Sequence, residues 1–440
     1  MSGIFKAYDI RGVYGKTLTD DIAFKLGRAF VTFLKCRKVV IGRDMRPHSV
    51  PLFNALAKGV TLQGGDVIDV GLCSTPMSYY ANGKLGADAS IMITASHNPG
   101  EWNGFKMCRE KAIPISGATG IKDLEALVQS CKFAPTPAQP GKITQHDISA
   151  DYIAHIRSFA DIKRPIRVAI DYANSMGISE GRVLDGLVEI TPLFDQMDGT
   201  FPNHEANPLK LDTLEPIQKV IRAGKYDFGI AFDGDADRAG FLDEKGNVVP
   251  MDMITALIAQ SILKREKGGA VFYDLRSSWA VKEVILENGG KPMMSRVGHA
   301  FIKQQMRDAN AVFAGELSGH YYFRENYFTE SSSLAALFVA NLVSQSGKPL
   351  SEMIKPIQRY FASGEINSEV HDVQAVFPRL REKFTGGKVI ELDGLSIEFS
   401  DWWFNVRPSN TEPLVRLNLE AKTKAMMEKR RDEVLAIIRA

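Results

Sequence analysis

Along residues 1–143 the apolar positions follow two rhythms. In DIAFKLGRAFVTFLK (21–35) they recur at helical spacing behind Thr19, a residue type whose hydroxyl caps helix starts. KVVIG (38–42) is a short apolar run closed by glycine. A second helix is predicted from Ser49 to Val60, with a stop at Gly64 and Gly65, then a strand at DVIDVG (66–71). A third helix (75–85) leads into ADASIMITAS (87–96), again a strand. Strands alternating with helices build β-α-β units and a mainly parallel sheet. The proline-dense KFAPTPAQPGK (132–142) marks a first boundary.

The rhythm then restarts twice. RVAIDY (167–172), EITPLF (189–194) and DFGIAFD (227–233) read as strands, and 211–225 as a helix. A third block carries helices at 253–269, 278–290 and 301–309, and strands at 270–275, 291–298 and 311–317. The last stretch changes character. VIELDGLSIEF (389–399) reads as a hairpin about Asp393-Gly394, followed by strands at 403–409 and 413–421 and a closing helix at 424–440. The expected division is 1–143, 144–247 and 248–362 as three α/β units, then 363–440 as an α+β unit.

Composition narrows the function classes. Lys plus Arg number 54 and Asp plus Glu 52, a net charge of +2, so no global excess points to nucleic acid or an anionic membrane. Four scattered cysteines form no C-x-x-C pair and suit a reducing compartment. MSGIFKAYDIRG lacks an apolar core, so no secretory signal is expected, and the longest apolar runs fall short of the ~18–20 residues a membrane span needs. The expectation is a cytoplasmic protein, monomeric or weakly self-associating.

Ligands of open α/β sheets bind beyond the carboxyl ends of strands, and four polar clusters lie there. In ITASHNPGEWNGFK (93–106), Asn98-Pro99 forces a turn that leaves Ser96 at a strand-to-loop junction. Such a hydroxyl either satisfies turn backbone or carries a covalent group; the flanks lack the G-x-S-x-G elbow of hydrolases. In FDGDADR (232–238), Asp233, Asp235 and Asp237 alternate on one loop, a density of hard oxygen that suits Mg²⁺ or Ca²⁺. An EF-hand is opposed by Arg238 at the sixth loop position and by flanking strands. Arg238 beside a cation suggests a clamp on a phosphoryl group. In AGELSGHYYF (314–323), Glu316 and Ser318 alternate and suit vicinal hydroxyls, with His320 suited to a proton shuttle near neutral pH; His299 stands at a weaker site. In VRPSNTEP (406–413), Arg407, Ser409, Asn410 and Thr411 offer donors for a phosphate. Arg11, Arg43, Arg46 and Lys106 add positive charge near the first cluster.

TASHNP with NGFK, DGDADR, GELSGH and RPSNT occur in this order over the whole chain, and with YDIRG they make it resemble the α-D-phosphohexomutase superfamily, closest to its bacterial phosphomannomutase/phosphoglucomutase branch. The resemblance implies three related α/β domains and a closing C-terminal domain around a cleft. It implies a phosphoryl group on Ser96, and one Mg²⁺ on Ser96, Asp233, Asp235 and Asp237. Arg238 would lie beside the phosphoryl group, with Arg11, Lys106 and His320 serving proton transfer and charge. Tyr8, Arg276, His299, Glu316 and Ser318 would hold the sugar, and Arg407, Ser409, Asn410 and Thr411 its phosphate. The implied reaction interconverts hexose 6-phosphate and hexose 1-phosphate through hexose 1,6-bisphosphate. Arg276 in DLRSS replaces a usual lysine, and TESSSLAAL (329–337) a more acidic turn. Phosphoglucosamine mutase, a phosphomonoesterase and a non-catalytic sugar-phosphate or Ca²⁺ sensor remain as alternatives.

Overall fold

The computed structural model describes residues 3–408 and 414–440. Its first three blocks repeat one sheet plan. Three central strands run parallel, and the last of them in sequence turns back into an antiparallel partner. In the first sheet the order is Ile10–Val13, Trp102–Arg109, Ala89–Ile93, Lys38–Arg43, Asp66–Leu72 and Ile143–Gln145. In the second it is Val248–Val249, Ala239–Leu242, Phe228–Phe232, Arg167–Asp171 and Glu189–Leu193. In the third it is Lys291–Ser295, Ala270–Asp274, Phe313–Gly315, Tyr321–Phe323 and Thr329–Glu330. The α/β class with mixed, mainly parallel sheets follows from this plan, and the fourth block is an antiparallel sheet backed by helices Val373–Lys383 and Lys424–Ile438.

Local chemistry explains most element ends. Thr19 accepts a hydrogen bond from Ile22 N–H and opens helix Asp20–Leu34. The hairpin forms with Ile390 opposite Ser396, and Gly394 supplies the positive φ, 71°, of its turn. Three expectations shift. The segment 211–225 begins as a 3₁₀ turn, Leu211–Leu214, and becomes α-helical only at Glu215–Ala223, where Pro216 fits the first turn. The helix expected at 253–269 runs Met251–Leu263; its charged tail has no apolar face, and Gly268 turns the chain at φ 76°. Strand Ile143–Gln145 pairs with Asp66–Leu72, so a cut after residue 143 passes through an edge strand of the first sheet.

Packing ties three blocks together. One apolar cluster runs from Ile170 and Phe228 of the second sheet through Leu334, Leu337 and Phe338 of helix Ser332–Ser346 to Val271 and Phe313 of the third; Met77 and Tyr80 join it from the first. The fourth block has its own core around Leu380, Phe404, Leu417 and Val434. All four cysteines are free, three of them buried. Among the described residues no helix is long and apolar enough to cross a membrane.

Candidate active site

The repeated plan puts three loops in one topological place. Each joins the last parallel strand to its antiparallel partner. They are 94–101, 233–238 and 316–320, the loops of Ser96, the aspartates and Glu316.

Ser96 is buried and held at φ 53°, a left-handed conformation that costs a non-glycine residue of order 1–3 kcal/mol and persists only when its surroundings enforce it. Arg46 is the enforcer. Its Nη2 donates to the carbonyls of Ser96 (3.0 Å) and Asn98 (2.7 Å), its Nη1 to those of Pro99 (2.7 Å) and Trp102 (3.0 Å), and its Nε to Asp44 (3.1 Å). Ser96 Oγ donates to Asp233 Oδ2 at 3.0 Å and lies 3.2 Å from His97 Nδ1. Gly234 permits this approach, because a Cβ there would collide with the Ser96 carbonyl.

Asp233, Asp235 and Asp237 are buried, and one oxygen from each lies within 4.8 Å of the others. Lys106 Nζ donates to Asp235 (2.6 Å) and Asp237 (2.5 Å). Neither Asp235 Oδ1 nor Asp237 Oδ1 has a hydrogen-bond partner, although His320 Nε2 lies 3.3 Å and Arg238 Nε 3.9 Å from the latter. Burial, then the charges of Asp237 and Asp235, pushes the Asp233 pKa well up. Burial works the same way on Asp237, but Lys106 and His320 outweigh it and hold it well down. Lys106 is raised because Asp235 and Asp237 overcome its desolvation. Buried carboxylate oxygens without partners are costly unless a cation joins them, and an all-oxygen donor set fits a divalent metal.

His320 links this loop to the loop of Glu316 and Ser318. Its Nδ1 lies 2.8 Å from Ser318 Oγ and 3.3 Å from Glu316 Oε2. Burial disfavours its charge, yet Asp237 above all pushes its pKa to about 9. Arg238 Nε donates to His320 Nε2 at 3.2 Å, and its charge pulls the His320 pKa partly back. Glu316, against its burial, is held down to about 2 chiefly by His320, and accepts from Tyr322 OH (2.5 Å) and Gly298 N–H (3.1 Å). Asp274 accepts from Leu317 N–H (2.8 Å) and from Arg276 Nη2 (2.7 Å), bracing both. His299 lies 6.4 Å from His320 and 5.6 Å from Tyr8, ring to ring, and burial with Lys303 and Lys106 keeps it uncharged. Arg11 donates to Asn98 Oδ1 at 2.6 Å and to Asp9 at 2.7 Å.

Arg407 and Arg276 meet through Glu365, which accepts from Arg407 Nη2 at 2.9 Å and lies 3.6 Å from Arg276 Nη1. Burial opposes the Glu365 charge, but Arg276 and Arg407 hold its pKa down to about 2. Ser409, Asn410 and Thr411 lie outside the described residues.

Two of the structure's key groups, Thr75 and Glu365, escaped the sequence reading, and Arg46 entered it only as added positive charge. Arg46 looks from sequence like a spare phosphate donor, yet it spends its donors on loop carbonyls; Arg43 likewise pairs with Asp69. Thr75 donates its hydroxyl to Asp235 at 2.6 Å from 160 residues away. Glu365 carries no local signal at all.

The chain matches four models described as phosphoglucomutase/phosphomannomutase: alpha/beta/alpha domain I over residues 2–135, domain II over 150–246, domain III over 250–360 and the C-terminal domain over 365–437. A phosphomannomutase of Escherichia coli is 38% identical over 453 residues, covering 99% of each chain. A phosphomannomutase of Methanocaldococcus jannaschii is also 38% identical, over 99% of this chain and 97% of its own. The crystal structure of a phosphoglucomutase/phosphomannomutase family protein from Burkholderia thailandensis superposes with a TM-score of 0.92 at 32% identity, over 99% of this chain and 97% of that one. With every block matched in order and the chemistry loops converging, the chain belongs to the phosphoglucomutase/phosphomannomutase family of the α-D-phosphohexomutase superfamily.

Proposed function

We propose that this protein is a phosphohexomutase, an isomerase that interconverts hexose 6-phosphate and hexose 1-phosphate, with mannose and glucose phosphates as substrates. The observation that carries the reading is the 3.0 Å hydrogen bond from Ser96 Oγ to Asp233, which joins the candidate phosphoryl carrier to the acidic triad across 137 residues of sequence.

In this reading phosphoserine 96 gives its phosphoryl group to the free hydroxyl of the bound sugar. The serine O–P bond breaks, a sugar O–P bond forms, and the hydroxyl proton goes to a base. The resulting hexose 1,6-bisphosphate turns end over end and returns its other phosphate to Ser96. Asp233, Asp235 and Asp237, with an oxygen of the phosphoserine, would hold Mg²⁺, which when bound offsets charge on the transferred group. Arg238 and Arg11 face the same group and add positive charge. Lys106, held as a cation between two aspartates, and His320 are the proton carriers in reach: one gives its proton to the departing Ser96 oxygen and is restored by the proton of the sugar hydroxyl. Glu316 and Ser318 bind the 3- and 4-hydroxyls, which exchange places when the sugar turns. Arg407, with Ser409, Asn410 and Thr411, takes the distal phosphate, and Tyr8, His299 and Arg276 shape the sugar's surroundings. The four units expected at 1–143, 144–247, 248–362 and 363–440 supply one loop each. Four free thiols support a reducing, cytoplasmic setting.

The test is the intact mass of the protein with turnover measured on mannose, glucose and glucosamine 1-phosphates. One phosphate on Ser96, discharged by sugar monophosphate, and loss of nearly all turnover in Ser96→Ala are expected. Stoichiometric release of free phosphate would instead mark a phosphomonoesterase. A strong preference for glucosamine phosphate would reassign the substrate.

A further inference from the structure

The serine run Ser331–Ser333 lies at the meeting point of the first three blocks. Ser331 caps helix Ser332–Ser346, accepting from Leu334 N–H at 3.2 Å. Ser74 caps helix Thr75–Lys84 in the same way, accepting from Met77 N–H at 3.2 Å. Glu180 of the second block sits between these caps and is fully buried. Ser74 Oγ donates to its Oε1, and Tyr152 OH donates to its Oε2 at 2.9 Å. Tyr152 OH is itself 3.2 Å from Ser331 Oγ and 3.0 Å from Ser333 Oγ. Burial pushes the Glu180 pKa up, and the hydrogen bonds from Ser333, Ser74 and Tyr152 pull it partly back.

The first residue of each helix grips the acidic loop. Thr75 donates its hydroxyl to Asp235 Oδ2 at 2.6 Å and its N–H to the Asp235 carbonyl at 3.0 Å. Ser332 Oγ donates to the Ala236 carbonyl at 2.6 Å. Ala236 stands at φ 58°, a conformation its surroundings must hold. The chain of contacts is therefore continuous from Glu180, through Ser74 on one side and through Tyr152 and Ser331 on the other, to the two helix starts and on to the backbone and side chain of the loop.

We propose that Glu180 is a positioning residue for the metal loop: it locks the two helix starts so that Thr75 and Ser332 hold Asp235 and Ala236 in the ion-binding geometry. The proposal rests on reading Asp233, Asp235 and Asp237 as metal ligands. Groups that orient metal ligands from behind typically change affinity by about 10–100-fold when altered. Glu180→Gln keeps the shape and removes the charge, so it separates positioning from packing.

The experiment is calorimetric titration of Mg²⁺ into the metal-free wild type, E180Q, Thr75→Val and the double variant, with KM and kcat for hexose 1-phosphate measured alongside. E180Q is expected to lose about tenfold or more in Mg²⁺ affinity. Its KM for sugar phosphate should be unchanged at saturating Mg²⁺, with kcat recovering as Mg²⁺ is raised. Adding E180Q to Thr75→Val should cost less than E180Q alone, because the two act in series. E180Q that binds Mg²⁺ like the wild type overturns the proposal and leaves the metal reading standing. Wild type that binds no Mg²⁺, or Asp235→Asn that binds it equally well, overturns both. Should E180Q fail to fold, Tyr152→Phe removes one hydroxyl from the same carboxylate. A several-fold weaker Mg²⁺ affinity there supports the proposal, and unchanged affinity overturns it.

Discussion

Arg46→Lys tests how the Ser96 loop is held. The substitution keeps the positive charge beside Asp44, so it isolates donor geometry from charge. Arg46 makes five side-chain hydrogen bonds, four of them to the carbonyls of Ser96, Asn98, Pro99 and Trp102. A lysine ammonium has three donors, so at least two oxygens lose Arg46; the Pro99 carbonyl keeps Trp102 N–H, so at least one oxygen is left unsatisfied. Leaving a buried polar atom unsatisfied costs about 1–3 kcal/mol. At about 2–4 °C per kcal/mol for a domain of this size, the first transition should fall by about 2 °C or more. The loop also loses what enforces the left-handed Ser96, and a displacement near 1 Å is worth about 100-fold in kcat. Thermal unfolding, steady-state turnover and amide exchange across 97–102 measure the three consequences. A variant within about 1 °C and twofold of the wild type, with unchanged exchange, would refute the reasoning.

Gly234→Ala places a methyl against the Ser96 carbonyl and separates the two loops; kcat should fall about 100-fold, and overpacking against held backbone, about 1–3 kcal/mol, should lower the unfolding temperature by about 2 °C or more, whereas full activity would sink the close-approach argument. Glu420 and Asp252 line a cavity of about 460 Å³ between the third and fourth blocks. Burial raises Glu420 to about 7 and Asp252 to about 6, with Ser278 pulling each partly back. Their folded pKa values lie above the unfolded ones, so the folded state keeps protons the unfolded state gives up. The stability they contribute is full below the unfolded value of about 4 and is lost as pH rises through about 7. Relative to the wild type, the unfolding temperature of Glu420→Gln should rise as pH goes from about 5 to about 8; a difference that does not change with pH would remove Glu420 from the explanation.

Period and punctuation in the chain already determine the α/β class, the restart of the pattern in three blocks, the Thr19 cap and the Asp393-Gly394 hairpin, because these depend on neighbours within a few residues. The acidic loop and Ser96 are legible for the same reason: three alternating carboxylates and a hydroxyl before Asn-Pro are unusual chemistry wherever the chain goes. Other features are written over distances that no local pattern spans. Strand Trp102–Arg109 buries Asn103 and Lys106, so it lacks the alternation that marks a strand, and only the aspartates of another block make a buried lysine tolerable. Arg46 and Thr75 read as ordinary polar residues until the fold brings loop carbonyls and Asp235 against them. Glu365 becomes meaningful only where Arg276 and Arg407, from different blocks, converge on it. Local hydrogen bonding and hydrophobic period act along the chain, whereas desolvation makes a polar side chain depend on whichever partners packing delivers, and packing is decided in three dimensions.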